Sequence, residues 1–305
     1  MRCRFVTADV FTSRPLEGNP LAVFPDARGL SDALMQRIAR EFNLSETVFV
    51  FPPDEPQHTR GLRIFTPKSE LPFAGHPTVG TAYVLAALGE IPLTGAETRI
   101  IFEEGVGPVP VLIRSEDGRP VFTQLSVAKL PEQGPTPPDA PELAEMLSLP
   151  SDDVLSAGED HPQGFSCGNP FLFIPLRNRD ALRRARLRID VWEEVLLGGW
   201  AREVFLFCRE PELAGSHIRA RMFAAELGVG EDPATGSAVS ALGGYLGQRA
   251  PEADGTLSWI VEQGFEMGRP SLLHLEVDKR GGEITGVRVG GNTVLVSEGT
   301  VEIPG

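Results

Sequence analysis

The hydrophobic pattern of this chain is one of short apolar runs broken by turn signals, with few long helical periods. Cys3 to Phe11 predicts a strand, residues 13–20 (SRPLEGNP) a turn, and Leu21 to Phe24 a second strand. Ser31 predicts the N-cap of a helix over Asp32 to Glu41, since Leu34, Met35, Ile38 and Phe42 share one face. Thr47 to Phe51 (TVFVF) is β-branched and aromatic, which predicts a buried strand, and Leu62 to Phe65 predicts another. His76 to Leu88 (HPTVGTAYVLAAL) is apolar nearly all round and predicts a helix buried on every side. Pro77 falls in its first turn, where a missing N–H costs little. Strands are expected at 98–103, 109–114 and 121–127, and the proline-dense stretch 131–142 (PEQGPTPPDAPE) reads as a linker.

The second half repeats the first. GNPLAVF (18–24) recurs as GNPFLFI (168–174), TVFVF (47–51) as EVFLF (203–207), and RIF (63–65) as RMF (221–223). HPTVGTA (76–82) recurs as DPATGSA (232–238), and EEG (103–105) as EQG (262–264). The matches keep their order at separations of 150 to 159 residues, which indicates two copies of one strand-rich unit, each with one buried helix. Duplicated halves place a ligand most naturally in a cleft between them.

Composition narrows the function. The 305 residues suit one large domain or two of about 150 residues each, the repeats decide for two, and 41% apolar content supports sizeable cores. The 33 glycines and 27 prolines are spread along the chain without a period, as many short strands and tight turns require. A net charge of −14 excludes a nucleic-acid partner, which needs a basic face. Cys3, Cys167 and Cys208 are odd in number and scattered, which predicts neither a disulfide framework nor a zinc site. The start MRCRFVTADVF has no apolar leader, and no stretch reaches the eighteen or so apolar residues of a membrane span. The expectation is a cytoplasmic protein with no membrane partner.

Chemistry is sought where the two copies differ. At the buried helices one copy carries His76 before Pro77 and the other Asp232 before Pro233. A helix N-terminus offers unpaired N–H groups and a positive dipole end, so two such ends would hold a carboxylate. Gly75, Gly80 and Gly236 would let the backbone approach a ligand, and Thr78, Thr235 and Ser237 would add hydroxyl donors. Taken alone, Asp232 and Thr78 also fit ordinary helix caps, and His76 a polar filler. Glu46, just before TVFVF, is matched in the second copy by Arg202. A carboxylate beside an apolar strand loses water and gains pKa, as a general base working near neutrality needs. No HExxH, GxSxG or P-loop occurs, and the arginine run 177–188 reads as a solvated helix face.

The sequence resembles the PhzF-like phenazine biosynthesis protein family, relatives of diaminopimelate epimerase. The matching pieces are DVFTSRPLEGNPLAVF (9–24), NLSETVFVF (43–51), RIFTPKSELPFAGHPTVGTA (63–82), GEDPATGSA (230–238), QGFEMGRPS (263–271) and VGGNTVLVSEGT (289–300). The resemblance implies an α+β fold of two similar domains, each an antiparallel barrel-like sheet around a central helix. Their expected limits are 1–127 and 128–292, with a strand at 293–305 returning to the first and the active site in the cleft between them. It also implies cofactor-free isomerisation of a small carboxylate and a homodimer, with no metal. The family's acid/base glutamate falls on Glu46, and its cleft histidine, aspartate and serine fall on His76, Asp232 and Ser237. Gly75, Pro77, Thr78, Thr235 and Gly236 would line the substrate. The namesake substrate is a dihydro-3-hydroxyanthranilate. The epimerase relatives use two cysteines where this chain has His76 and Asp232. An aspartate at a helix N-terminus is a poor base, so the expectation is one mobile base, Glu46, with two-base epimerisation or racemisation and a non-catalytic acid-binding protein as alternatives.

Overall fold

The computed structural model describes residues 2–225 and 229–303, and the chain divides into two units, Met1–Ala128 with Val289–Gly305, and Lys129–Arg288. The first half runs β1 (Arg2–Val10), β2 (Asn19–Phe24), α1 (Asp32–Phe42), β3 (Glu46–Phe51), β4 (Arg60–Phe65), β5 (Glu70–Leu71), α2 (Gly75–Ala87), β6 (Glu97–Glu104), β7 (Gly107–Glu116) and β8 (Arg119–Ser126). The second runs β9 (Glu132–Gln133), α3 (Ala140–Met146), β10 (Gln163–Ser166), β11 (Pro170–Pro175), α4 (Arg179–Arg184), α5 (Ile189–Val195), β12 (Glu203–Cys208), β13 (Ile218–Ala224), β14 (Val229–Asp232), α6 (Gly236–Arg249), β15 (Gly255–Gln263), β16 (Ser271–Arg280) and β17 (Glu283–Gly291). The last strand is β18 (Thr293–Glu302).

In the first unit the strands pair in the order β18, β1, β2, β3, β4, β6, β7, β8. All joins are antiparallel except β2–β3 and β4–β6, which are parallel. A parallel join needs a crossover, and α1 and α2 supply the two. The expected antiparallel sheet is therefore mixed at those two points. Helix α2 packs on β1, β2, β3, β7, β8 and β18, and every residue in it except Tyr83 and Ala87 is buried. This is why its sequence lacks a polar face. On the opposite side of the sheet α1 covers an aromatic cluster, with Phe24 stacked on Phe49 at 5.0 Å and Phe42 edge-on to Phe5 at 4.8 Å. Both faces of β3 are thus covered, which explains its unbroken apolar run.

The second unit repeats this order of senses. Strands β9, β10, β11, β12, β13, β15 and β16 pair in that order, with β11–β12 and β13–β15 parallel. Helix α6 packs on β9, β10, β11 and β16, while α3, α4 and α5 join an outer apolar cluster around Trp192, Leu172 and Leu206. The glycines of GGYLG lie in α6, and a Cβ on Gly244 would fall 2.4 Å from Pro131. They serve close helix–sheet packing.

The proline-dense stretch is not a linker. The second unit begins at Lys129, before it, and Gly134 donates its N–H to Gly164 O at 2.9 Å. Asp139 and Glu142 then form a capping box that starts α3. Prolines lack an N–H, so this segment can pack in extended form without leaving donors unpaired. The return to the first unit starts at Val289 rather than 293, because the end of β17 lies on β8: a Cβ on Gly290 would sit 2.5 Å from Thr123 O. The arginine run is a helix only over Arg179–Arg184, and its Arg184 pairs with Asp153 and Asp180.

Candidate active site

In the first unit the fold brings Glu46 and His76 together. Glu46 is the first residue of β3, paired in register with Leu21 of β2, and His76 is the second residue of α2. His76 Nε2 lies 3.2 Å from Glu46 Oε2, and the side chains are only 4% and 14% exposed. The two atoms are in contact without straight hydrogen-bond alignment. On the other side of the ring, Asn19 Nδ2 lies 3.2 Å from His76 Nδ1. Burial pushes the His76 imidazole down to about 3, so the ring is neutral at pH 7. Gly75 and Pro77 flank His76 in the first turn of α2, both buried.

Thr78 departs from expectation. Its hydroxyl lies 2.7 Å from Ala74 O and 2.7 Å from Glu104 Oε1, so it is engaged inside the unit and is neither a helix cap nor a free donor. Burial raises the Glu104 carboxyl to about 8, and its Oε2 is buried without a hydrogen-bond partner among the described residues. Glu104 is therefore held as the neutral acid at pH 7. Gly80 also has a different use: a Cβ there would meet Val10 and Leu21 at 2.5 and 2.7 Å, so it serves packing of α2.

In the second unit Asp232 ends β14, and α6 begins only at Gly236. Asp232 thus stands outside the first turn of α6, and the helix-dipole argument for a depressed pKa does not apply as expected. The intervening residues are held by Gln263. Thr235 Oγ1 donates to Asp232 Oδ2 at 2.5 Å, and Gln263 Nε2 donates to Asp232 O at 2.8 Å and to Thr235 Oγ1 at 3.0 Å. Gln263 Oε1 accepts from Thr235 N at 3.1 Å. Gly236 and Ser237 are the first two residues of α6, Ser237 half-buried.

The helices differ in how they begin. Ser31, Asp139 and Asn178 cap α1, α3 and α4 with side-chain oxygens, whereas among the described residues α2, α6 and the short α5 begin without a side-chain cap. First-turn amides without a side-chain acceptor suit an anionic ligand. Among the described residues no group of three His, Cys, Asp or Glu side chains is placed to hold a metal ion.

Asn19, Glu104 and Gln263 escaped the sequence reading. The signal was present in the repeats. In EEG and EQG the first glutamate has the same work in both copies: Glu103 accepts N–H bonds from Asp54 and Glu55, and Glu262 from Glu212 and Leu213. The second position differs, acid in one copy and amide in the other, and each meets a buried helix start.

Comparison with known proteins places these features in context. A family model described as phenazine biosynthesis-like protein matches residues 8–299. An uncharacterised isomerase of Mesorhizobium japonicum is 42% identical over 98% of both chains. The trans-2,3-dihydro-3-hydroxyanthranilate isomerase of Pseudomonas aeruginosa is 35% identical over 97% of this chain and 98% of its own. The crystal structure of a Bacillus anthracis phenazine biosynthesis protein of the PhzF family superposes with a TM-score of 0.89, at 27% identity over 99% of this chain and all of that one.

Proposed function

The chain belongs to the phenazine biosynthesis-like family and is an isomerase, and from that premise we propose that it moves a proton within a small, cyclic carboxylate without a cofactor, with Glu46 as the acid/base. The observation that carries the reading is the Glu46–His76 contact at 3.2 Å between two side chains largely withdrawn from water. The Glu46 carboxylate takes a proton from one ring carbon, and the electron pair left behind spreads into the adjacent unsaturation. The same carboxyl then returns the proton to another carbon on that face. One C–H bond breaks, one forms, the double bond moves, and no atom is gained or lost.

The other residues supply orientation and charge balance. The neutral His76 ring offers Nε2–H to whichever Glu46 oxygen carries charge. The amides that open α2, beside Glu46 and His76, take the substrate's carboxylate. His76 engaged with Glu46 favours one base over two, since it is not an independent proton acceptor. Trans-2,3-dihydro-3-hydroxyanthranilate is the first substrate to try, because it is the one named for relatives at 35 and 36% identity.

The test is solvent exchange. In deuterium oxide the protein should place deuterium on carbon in that compound or in a related cyclic carboxylic acid, read by mass spectrometry. Glu46→Gln should lower the exchange rate by roughly 100-fold or more with the fold intact. Exchange by Glu46→Gln at the wild-type rate refutes the assignment.

A further inference from the structure

We propose that Asn19 is a positioning residue that fixes the tautomer of His76 and so keeps the ring proton on Nε2, the nitrogen beside Glu46. The proposal rests on the reading of Glu46 as the acid/base, but its central claim concerns a proton on His76. Asn19 is fully buried at the start of β2. Its amide nitrogen is the atom 3.2 Å from His76 Nδ1, and an amide nitrogen can only donate. Nδ1 must then accept, which leaves the single proton of the neutral ring on Nε2, the atom facing Glu46 Oε2 at 3.2 Å. The reverse amide orientation would put a proton on Nδ1 and set a bare Nε2 lone pair against a carboxylate.

The backbone holds Asn19 in place. It pairs in register with Val10 across β1–β2. Gly18, just before it, has φ +65, and a Cβ there would lie 2.3 Å from Val10 O, so only glycine makes this turn. The second copy keeps the Asn-Pro pair at Asn169–Pro170, yet Asn169 is exposed and the residue matching His76 is an aspartate. A role in the turn alone therefore gives no reason to bury the Asn19 amide against an imidazole.

The experiment is a long-range proton–nitrogen spectrum of the ¹⁵N-labelled full chain at pH 7, with the His76 signals identified by their loss in His76→Gln. The expected wild-type ring has its proton on Nε2 and a bare Nδ1. Asn19→Asp keeps the shape but can only accept, so it should move or add a proton at Nδ1; Asn19→Leu should give a mixture. A wild-type ring protonated on Nδ1, or an Asn19→Asp ring identical to wild type, overturns the proposal. Should Asn19→Leu fail to fold, Asn19→Asp still decides it. With trans-2,3-dihydro-3-hydroxyanthranilate as probe, deuterium exchange by Asn19→Leu should fall in kcat by about tenfold with little change in KM. If Glu46→Gln still exchanges while Asn19→Asp moves the proton, the acid/base reading fails and the tautomer assignment stands. If Glu46→Gln is inactive and the proton does not move, the reverse holds.

Discussion

Replacing Glu104 by Gln should make the protein more stable at alkaline pH. Glu104 has a folded-state value raised from 4.5 to about 8 by burial, and that displacement corresponds to about 5 kcal/mol of preference for the neutral acid. Thr78 has one hydroxyl proton for two oxygens, Ala74 O and Glu104 Oε1, each 2.7 Å away. If the hydroxyl donates to Ala74, the acid must donate to Thr78, and a Gln amide can do the same. Between pH 4.5 and 8 the folded chain holds this proton and the unfolded chain does not. Unfolding free energy therefore falls as pH rises through that window, by up to about 1.4 kcal/mol per pH unit, and the contribution levels off above it. Urea unfolding of both proteins at pH 5, 6, 7, 8 and 9, followed by far-ultraviolet circular dichroism, reads the difference directly. Groups that titrate in both proteins cancel in the comparison. Glu104→Gln should match wild type near pH 5 and exceed it by several kcal/mol at pH 9. Parallel stability curves would show that Glu104 ionises as freely in the folded chain as in the unfolded one, and the argument would fall.

The same titration series checks His76, whose folded value of about 3 lies below the ordinary 6.5. The unfolded chain takes up this proton first, so stability is lost as pH falls from 6.5 toward 3, and His76→Asn should flatten that acid-side slope. Gln263→Leu removes three hydrogen bonds around Asp232 and Thr235, and should cost roughly 2–4 kcal/mol in urea unfolding. It should also slow deuterium exchange into the dihydro-hydroxyanthranilate probe; an unchanged rate would mean that the Asp232 turn holds its place without Gln263.

The architecture was legible where period and chemistry agreed. Ser31 does cap α1 through Leu34 N, and α2 spans Gly75–Ala87 against an expected His76 to Leu88. Buried elements betray themselves because no polar face is needed. The α+β fold was legible too, since each repeated motif falls on a matching strand or helix start. What stayed hidden depends on contacts between distant segments. Proline content cannot report that Gly134 bonds Gly164, nor that Trp200 lies on Gly134. The Asn19–His76–Glu46 chain joins three segments, and only β2–β3 pairing and the placement of α2 bring them together. The helix-start argument put Asp232 at the N-terminus of α6, which begins only at Gly236, since a motif reveals the proline but not where helical hydrogen bonding begins.

The return of the chain to its first unit has a consequence for biosynthesis. On the ribosome β1 is made before the whole second unit and its neighbour β18 after it, and Arg2 pairs with Glu302. The second unit is continuous in the chain and can fold as soon as it emerges. The first must wait with one edge of β1 open until residues 289–302 are released. A unit begun before the second is thus completed after it, and it carries Glu46 and His76. The sheet that holds them is therefore complete only once β18 has been made and pairs with β1.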